Sequence, residues 1–133
     1  MSSAPKPRIA PSRRPKYYDL NLLHLPPPGL LSILHRISGV LLFLSIPVFL
    51  YLLQGSLTSE QEFLRGKQFL GHPLVKLACI GLAWMYAHHF FAGIRYLLLD
   101  LHIWIDKAPA NTSAKIVLVL GVLSALAFGW CVW

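Results

Sequence analysis

Charge is what this sequence has least of. Only 13% of its 133 residues are Asp, Glu, Lys or Arg, about half of the ~25% usual in a soluble domain. With 56% of the residues hydrophobic, a chain this short has too little polar surface to close over its apolar content, which excludes an ordinary soluble fold. Cysteine is scarce as well. Cys79 and Cys131 each lie inside an apolar run, so they offer neither a disulfide framework nor a metal motif and read as small packing residues. No cleavable signal peptide is expected, because the first apolar run is too long and begins too late. The Arg- and Ser-containing N-terminus is too short for an organelle presequence, and no internal repeat is visible.

What is there falls into three long apolar runs. Residues 29–53 are interrupted only by His35 and Arg36, residues 77–94 lie between Lys76 and Arg95, and residues 116–133 carry no charge. Each is close to the ~20 residues of a spanning helix, and the first reaches ~37 Å at ~1.5 Å per residue. The expected fold is an all-α integral membrane bundle of three transmembrane helices, at about residues 29–54, 74–100 and 114–133. This domain, residues 29–133, follows an extended basic arm, residues 1–28.

The net charge of +7 does not point to nucleic acid, because it is concentrated beside a membrane span: Lys6, Arg8, Arg13, Arg14 and Lys16 precede the first helix. Such a cluster is the positive-inside signal. It places the N-terminus in the cytoplasm and, after three spans, the C-terminus on the opposite face. Lys107 and Lys115 in the last loop agree with this, while Arg65 and Lys67 in the first loop make the loops weak discriminators.

Local signals mark the boundaries. The stretch LPPPG at residues 25–29 cannot continue a helix but can start one. Pro47 removes one backbone bond from helix one and is expected to bend its outer half. Thr58-Ser59-Glu60 is a capping signal for a short helix in the first loop, and His72-Pro73 marks the entry to helix two, with His72 as an interfacial residue. Gly121, Ala125 and Gly129, four apart in helix three, permit close helix contact, within the bundle or with a second membrane subunit.

Ionisable groups inside a span cost roughly 2.5–3.5 kcal/mol each on insertion scales, so two constellations stand out. Ser32, His35, Arg36 and Gly39 follow i, i+3, i+4, i+7 spacing and form one polar stripe. Their hydroxyl, imidazole and guanidinium suit a ligand with carbonyl oxygens or carboxylates. The alternative is that Arg36 snorkels to the headgroups and His35 is interfacial. In the second constellation His89, Gly93, Tyr96 and Asp100 share one helix face, while His88 and Arg95 share another. A histidine with a glycine one turn along suits a flat, bulky cofactor such as haem, with arginine or tyrosine near the headgroups for its propionates. A lone buried histidine that binds nothing is the competing reading. The start of helix one and the end of helix two lie at the same side of the bilayer, so the two constellations converge on one region.

These residues carry a family resemblance. Arg14-Pro15 and Asp19-Leu20, then SILHRISG at 32–39, then HFFAGIRYLLLD at 89–100, resemble the cytochrome b membrane-anchor subunit of succinate dehydrogenase across nearly the whole chain. The resemblance implies that Ser32 and Arg36 help to bind quinone, and that His89 is an axial ligand of haem b shared with a second small anchor subunit. It places His35, Gly93, Arg95 and Tyr96 around the haem and its propionates. Relatives often have histidine where this chain has Tyr96, which can still donate a hydrogen bond. The implied partners are an iron-sulfur subunit and a flavoprotein, which hold the clusters and FAD and oxidise succinate. The implied location is the bacterial cytoplasmic membrane. Two other readings stay open: a fumarate reductase anchor, and a haem-free scaffold or transporter subunit.

Overall fold

A computed structural model describes residues 25–133; the basic arm from Lys6 to Lys16 lies outside the described residues. Four helices follow in order: α1 (Pro27–Thr58), α2 (Glu60–Gly71), α3 (Pro73–Asp100) and α4 (Lys107–Val132). Of these, α1, α3 and α4 are long and apolar enough to cross a membrane. A helix suits that medium because all its backbone bonds close within the segment. With 32, 28 and 26 residues, the three helices reach about 48, 42 and 39 Å, so each carries at least a turn beyond a ~30 Å hydrocarbon core. The all-α, three-span architecture expected from hydropathy is the one observed.

The helix ends show what hydropathy misses. Prolines occupy the first turn of α1, and Gly29 N donates to Pro26 O at 2.8 Å. The helix runs through Pro47 to Thr58, past the expected end near residue 54. In its polar tail Ser56 Oγ and Thr58 Oγ1 satisfy their hydroxyls within the helix by donating back to Leu53 O and Gln54 O, at 2.7 and 2.8 Å. The short helix signalled by Ser59 is α2: Ser59 Oγ accepts from Glu62 N at 3.2 Å, and Glu60 and Glu62 face the positive end of the helix dipole. His72 is more than interfacial, since its Nδ1 caps α3 by accepting from Leu74 N at 3.3 Å.

The largest departure is α4, which begins at Lys107 rather than near residue 114. Residues 107–114 are too polar to read as membrane helix, but Pro109 sits in the first turn, where proline is tolerated. Arg95 of α3 then holds that turn from outside, its Nε donating to Ser113 Oγ at 2.9 Å and its Nη2 to Ala110 O at 3.1 Å. The reversal at residues 101–106 is tight, with His102 and Trp104 at φ 60° and 62° in the left-handed region.

Helix α3 packs on both α1 and α4, most extensively on α4. The apolar core is small, Leu31, Ala92, Ala114 and Val117, and most large apolar side chains, such as Phe43, Leu44 and Leu126, point outward. Between lipid-facing helices there is little hydrophobic drive, so close packing and interhelical hydrogen bonds hold them together. Both are visible. A Cβ added at Gly121 would lie 3.4 Å from His88 Cβ, and one at Gly129 would lie 3.3 Å from Ile80 Cδ1. The small-residue stripe of α4 is therefore occupied by α3 of the same chain. Arg95 ties one end of the α3–α4 pair, and Lys76 Nζ, donating to Val132 O at 3.0 Å, ties the other.

Candidate functional site

Both sequence constellations meet at the end of the bundle where α1 and α4 begin and α3 finishes. The rings of His35 on α1 and His89 on α3 stack with centroids 4.2 Å apart and planes 13° from parallel. His89 Nδ1 lies 3.0 Å from the backbone carbonyl of His35 and 3.3 Å from Ser38 Oγ, while Ser38 Oγ donates to the same carbonyl at 3.0 Å. A carbonyl only accepts, so the proton of a neutral His89 resides on Nδ1 and the lone pair on Nε2. That tautomer is the one a second-sphere carbonyl selects in a metal-binding histidine.

Two glycines make room for the rings, crosswise between the helices. A Cβ at Gly39 of α1 would come 2.8 Å from His89 Cε1, closer than real Cβ atoms approach. A Cβ at Gly93 of α3 would meet His35 Nε2 at 3.8 Å, an ordinary contact. The glycine that admits the His89 ring is thus Gly39, and Gly93 lies beside His35. Tyr96 tilts against His35 with centroids 5.1 Å apart, and its hydroxyl is buried without a hydrogen-bond partner.

The other candidate residues are placed as follows. Arg95 is 4% exposed and turned to α4, with its guanidinium carbon 5.6 Å from the centre of the Tyr96 ring. Ser32 is half-buried, Arg36 is exposed, and Asp100 is exposed at the end of α3. His88 points away from His89: it is fully buried, stacks on Trp84 with centroids 5.4 Å apart, and backs onto Gly121 of α4.

Sequence reasoning missed Ser38 and the role of Gly39. Ser38 is buried at 2% exposure and reaches His89 from 51 positions away. Its signal was the run His35-Arg36-Ile37-Ser38-Gly39, in which Ser38 sits one turn after His35 on the face toward α3. Among the described residues no three His, Cys, Asp or Glu side chains converge as they would around a bare metal ion. The chemistry available is that of one oriented imidazole nitrogen, an unpartnered phenol and a nearby guanidinium in an apolar setting.

Known proteins give the same direction. Residues 10–128 match the family described as succinate dehydrogenase/fumarate reductase transmembrane subunit. The succinate dehydrogenase cytochrome b556 subunit of Coxiella burnetii is 37% identical over 123 residues, covering 92% of this chain and 98% of that protein. The mitochondrial succinate dehydrogenase cytochrome b560 subunit of Sus scrofa is 30% identical, covering 86% of this chain and 69% of its own length. The cytochrome b556 subunit of Rickettsia felis is 27% identical, covering 84% and 87%. A match over that span, with a relative this similar along nearly its full length, establishes that the chain belongs to the succinate dehydrogenase/fumarate reductase transmembrane subunit family.

Proposed function

We infer that this chain is the cytochrome b anchor of a succinate:quinone oxidoreductase, with His89 Nε2 as an axial donor to haem b. The observation that carries the reading is the hold on His89 Nδ1 by the His35 carbonyl and Ser38, over the space left by Gly39. The residues fit the group: a fixed donor nitrogen, and a buried tyrosine hydroxyl with no partner, which suits a propionate oxygen. His35, Gly93 and Tyr96 form the pocket with His89, and Arg95 contributes through the part of its guanidinium not engaged by α4. Bound haem supplies a one-electron store between the iron-sulfur donor and quinone.

His35 covers the face of the His89 ring and His88 is enclosed against α4, so neither would join His89 in holding the haem, and a second small membrane subunit would supply the other ligand. Ser32 and Arg36 bind the quinone, their hydroxyl and guanidinium donating to its carbonyl oxygens. The same donors serve quinone reduction and quinol oxidation, so the site suits succinate dehydrogenase and fumarate reductase alike. An iron-sulfur subunit and a flavoprotein supply the clusters, FAD and the dicarboxylate chemistry. The basic arm faces the cytoplasm and the C-terminus the periplasm, across the bacterial cytoplasmic membrane. Protease digestion of oriented vesicles tests this, and an arm cleaved only from outside refutes it.

The ligand assignment is tested by His89→Ala and His88→Ala in the assembled complex. His89→Ala should abolish the low-spin bis-histidine spectrum and His88→Ala should leave it. The reverse outcome moves the ligand by one residue, and an unchanged spectrum in both places the haem elsewhere.

A further inference from the structure

The α3–α4 pair carries a groove of about 600 Å³, formed by Phe91, Ile94 and Leu98 of α3, the indole of Trp104 in the reversal, and one side of α4 from Ala108 to Leu120. The three α3 positions fall roughly 140–200° round the helix from His89 at ~100° per residue. His89 therefore faces away from this space, which belongs to neither constellation. Ile94, Trp104 and Ile116 in its walls are 42%, 49% and 52% exposed, so the groove opens to the surrounding medium.

Its dimensions limit the occupant. From Ala108 to Leu120 the lining of α4 runs about 18 Å at ~1.5 Å per residue, close to one leaflet of a ~30 Å hydrocarbon core. Spread over that length, the volume gives a mean cross-section of about 33 Å², against about 80 Å² for a helix ~10 Å across. A third helix can rest over the groove but not enter it. A single alkyl chain fits inside.

The lining is also graded in polarity. Phe91, Val117 and Leu120 close the inner end, whereas Arg95, Thr112, Ser113 and Trp104 lie nearer the reversal. Tryptophan in such a place marks the headgroup boundary. Two lysines flank the polar end: Lys107 immediately precedes Ala108, and Lys115 follows Thr112 by three residues. Both are exposed, and among the described residues neither has a carboxylate partner. Asp100 and Asp106, the carboxylates nearby in the chain, do not line the groove. Arg95 adds a third positive charge, and its bonds to α4 go to neutral oxygens, Ser113 Oγ and Ala110 O.

We propose that this groove seats one acyl chain of an anionic phospholipid, with the lipid phosphate between Lys107 and Lys115. The long lysine stems reach along the apolar surface and bring their ammonium groups to the headgroup level. The ester region then lies at the level of Thr112 and Ser113, and the chain runs inward to Leu120. Seated there, the lipid covers the open side of the Arg95 clamp and stabilises the α3–α4 pair. The proposal rests on the bundle spanning a membrane and not on haem or quinone binding.

The test uses the assembled complex stripped of lipid in a neutral detergent, to which dioleoylphosphatidylglycerol or dioleoylphosphatidylcholine is returned. These lipids share their chains and differ in headgroup charge. Phosphatidylglycerol should raise the melting temperature more than phosphatidylcholine does. That difference should be lost when Lys107→Gln and Lys115→Gln are combined, and lost again in Leu120→Trp, whose indole fills the inner end of the groove. Equal shifts from the two lipids in the wild type overturn the proposal, as does a difference that persists in either variant. If Leu120→Trp does not assemble, imaging of the wild-type complex takes its place: a chain-shaped density in the groove is the expected result, and a protein side chain there overturns it. The haem spectrum of the lysine variant should be that of the wild type, which keeps this result separate from the ligand assignment at His89.

Discussion

Gly39→Ala tests the geometry of the site with one methyl group. The added Cβ would stand 2.8 Å from His89 Cε1 and 3.4 Å from His89 Nδ1. To reach an ordinary contact, the ring or α1 must give by about 0.6 Å, the difference between 2.8 and 3.4 Å. The His89 ring has little freedom to do so, being stacked on His35 at 4.2 Å and bonded to its carbonyl at 3.0 Å. Overpacking of this kind costs about 1–3 kcal/mol. Against it stands the helical gain of alanine over glycine, about 0.8–1.0 kcal/mol. Gly81→Ala isolates that gain, because a Cβ there meets nothing within 4 Å. The two variants should therefore differ by about 1–3 kcal/mol, Gly81→Ala being more stable than the wild type and Gly39→Ala no more stable or less. Unfolding of the purified protein in mild detergent measures the difference, and the absorbance of the assembled complex reports any tilt of the His89 ring. If Gly39→Ala matches Gly81→Ala in stability and leaves the spectrum unaltered, the close approach of α1 to His89 is wrong.

Arg95→Lys should not rescue the α3–α4 tie, because an ammonium cannot reproduce the forked donation to Ser113 Oγ and Ala110 O. Hydrogen bonds to charged groups are worth about 1.5–3 kcal/mol, so both Arg95→Lys and Arg95→Ala should lower the melting temperature, and a wild-type melt for the lysine variant refutes the clamp. Gly121→Ala should be tolerated, its Cβ meeting His88 and Trp84 at 3.4–3.5 Å; Gly121→Leu should drive α4 off α3 and lower the yield of folded protein, and normal yield and melting would contradict the packing. Ser32→Ala and Arg36→Ala should slow electron transfer to quinone while succinate oxidation with an artificial acceptor persists; equal loss of both activities would indicate failed assembly, and full quinone activity in both variants removes the site from this position.

The spans and the helix faces were legible in the sequence because both follow from the backbone of a single helix. A spanning helix closes its own hydrogen bonds, so an apolar run of the right length is sufficient to mark it. The 3.6-residue period then assigns faces without knowing the neighbour. It separated His88 and Arg95 from His89 and Tyr96, and the structure sends the first pair to α4 and stacks His89 on His35 of α1. The Ser59 cap of α2 was equally local. What one helix meets on another depends on their offset and crossing, set by packing between residues far apart in the chain. Hence only the tertiary structure shows that Gly39 admits the His89 ring, and that Ser38 and the His35 carbonyl fix its tautomer. The same reason applies to α4, whose polar first turns carry no apolar signal and are held helical by Arg95 from another helix, and whose small-residue stripe is occupied by α3.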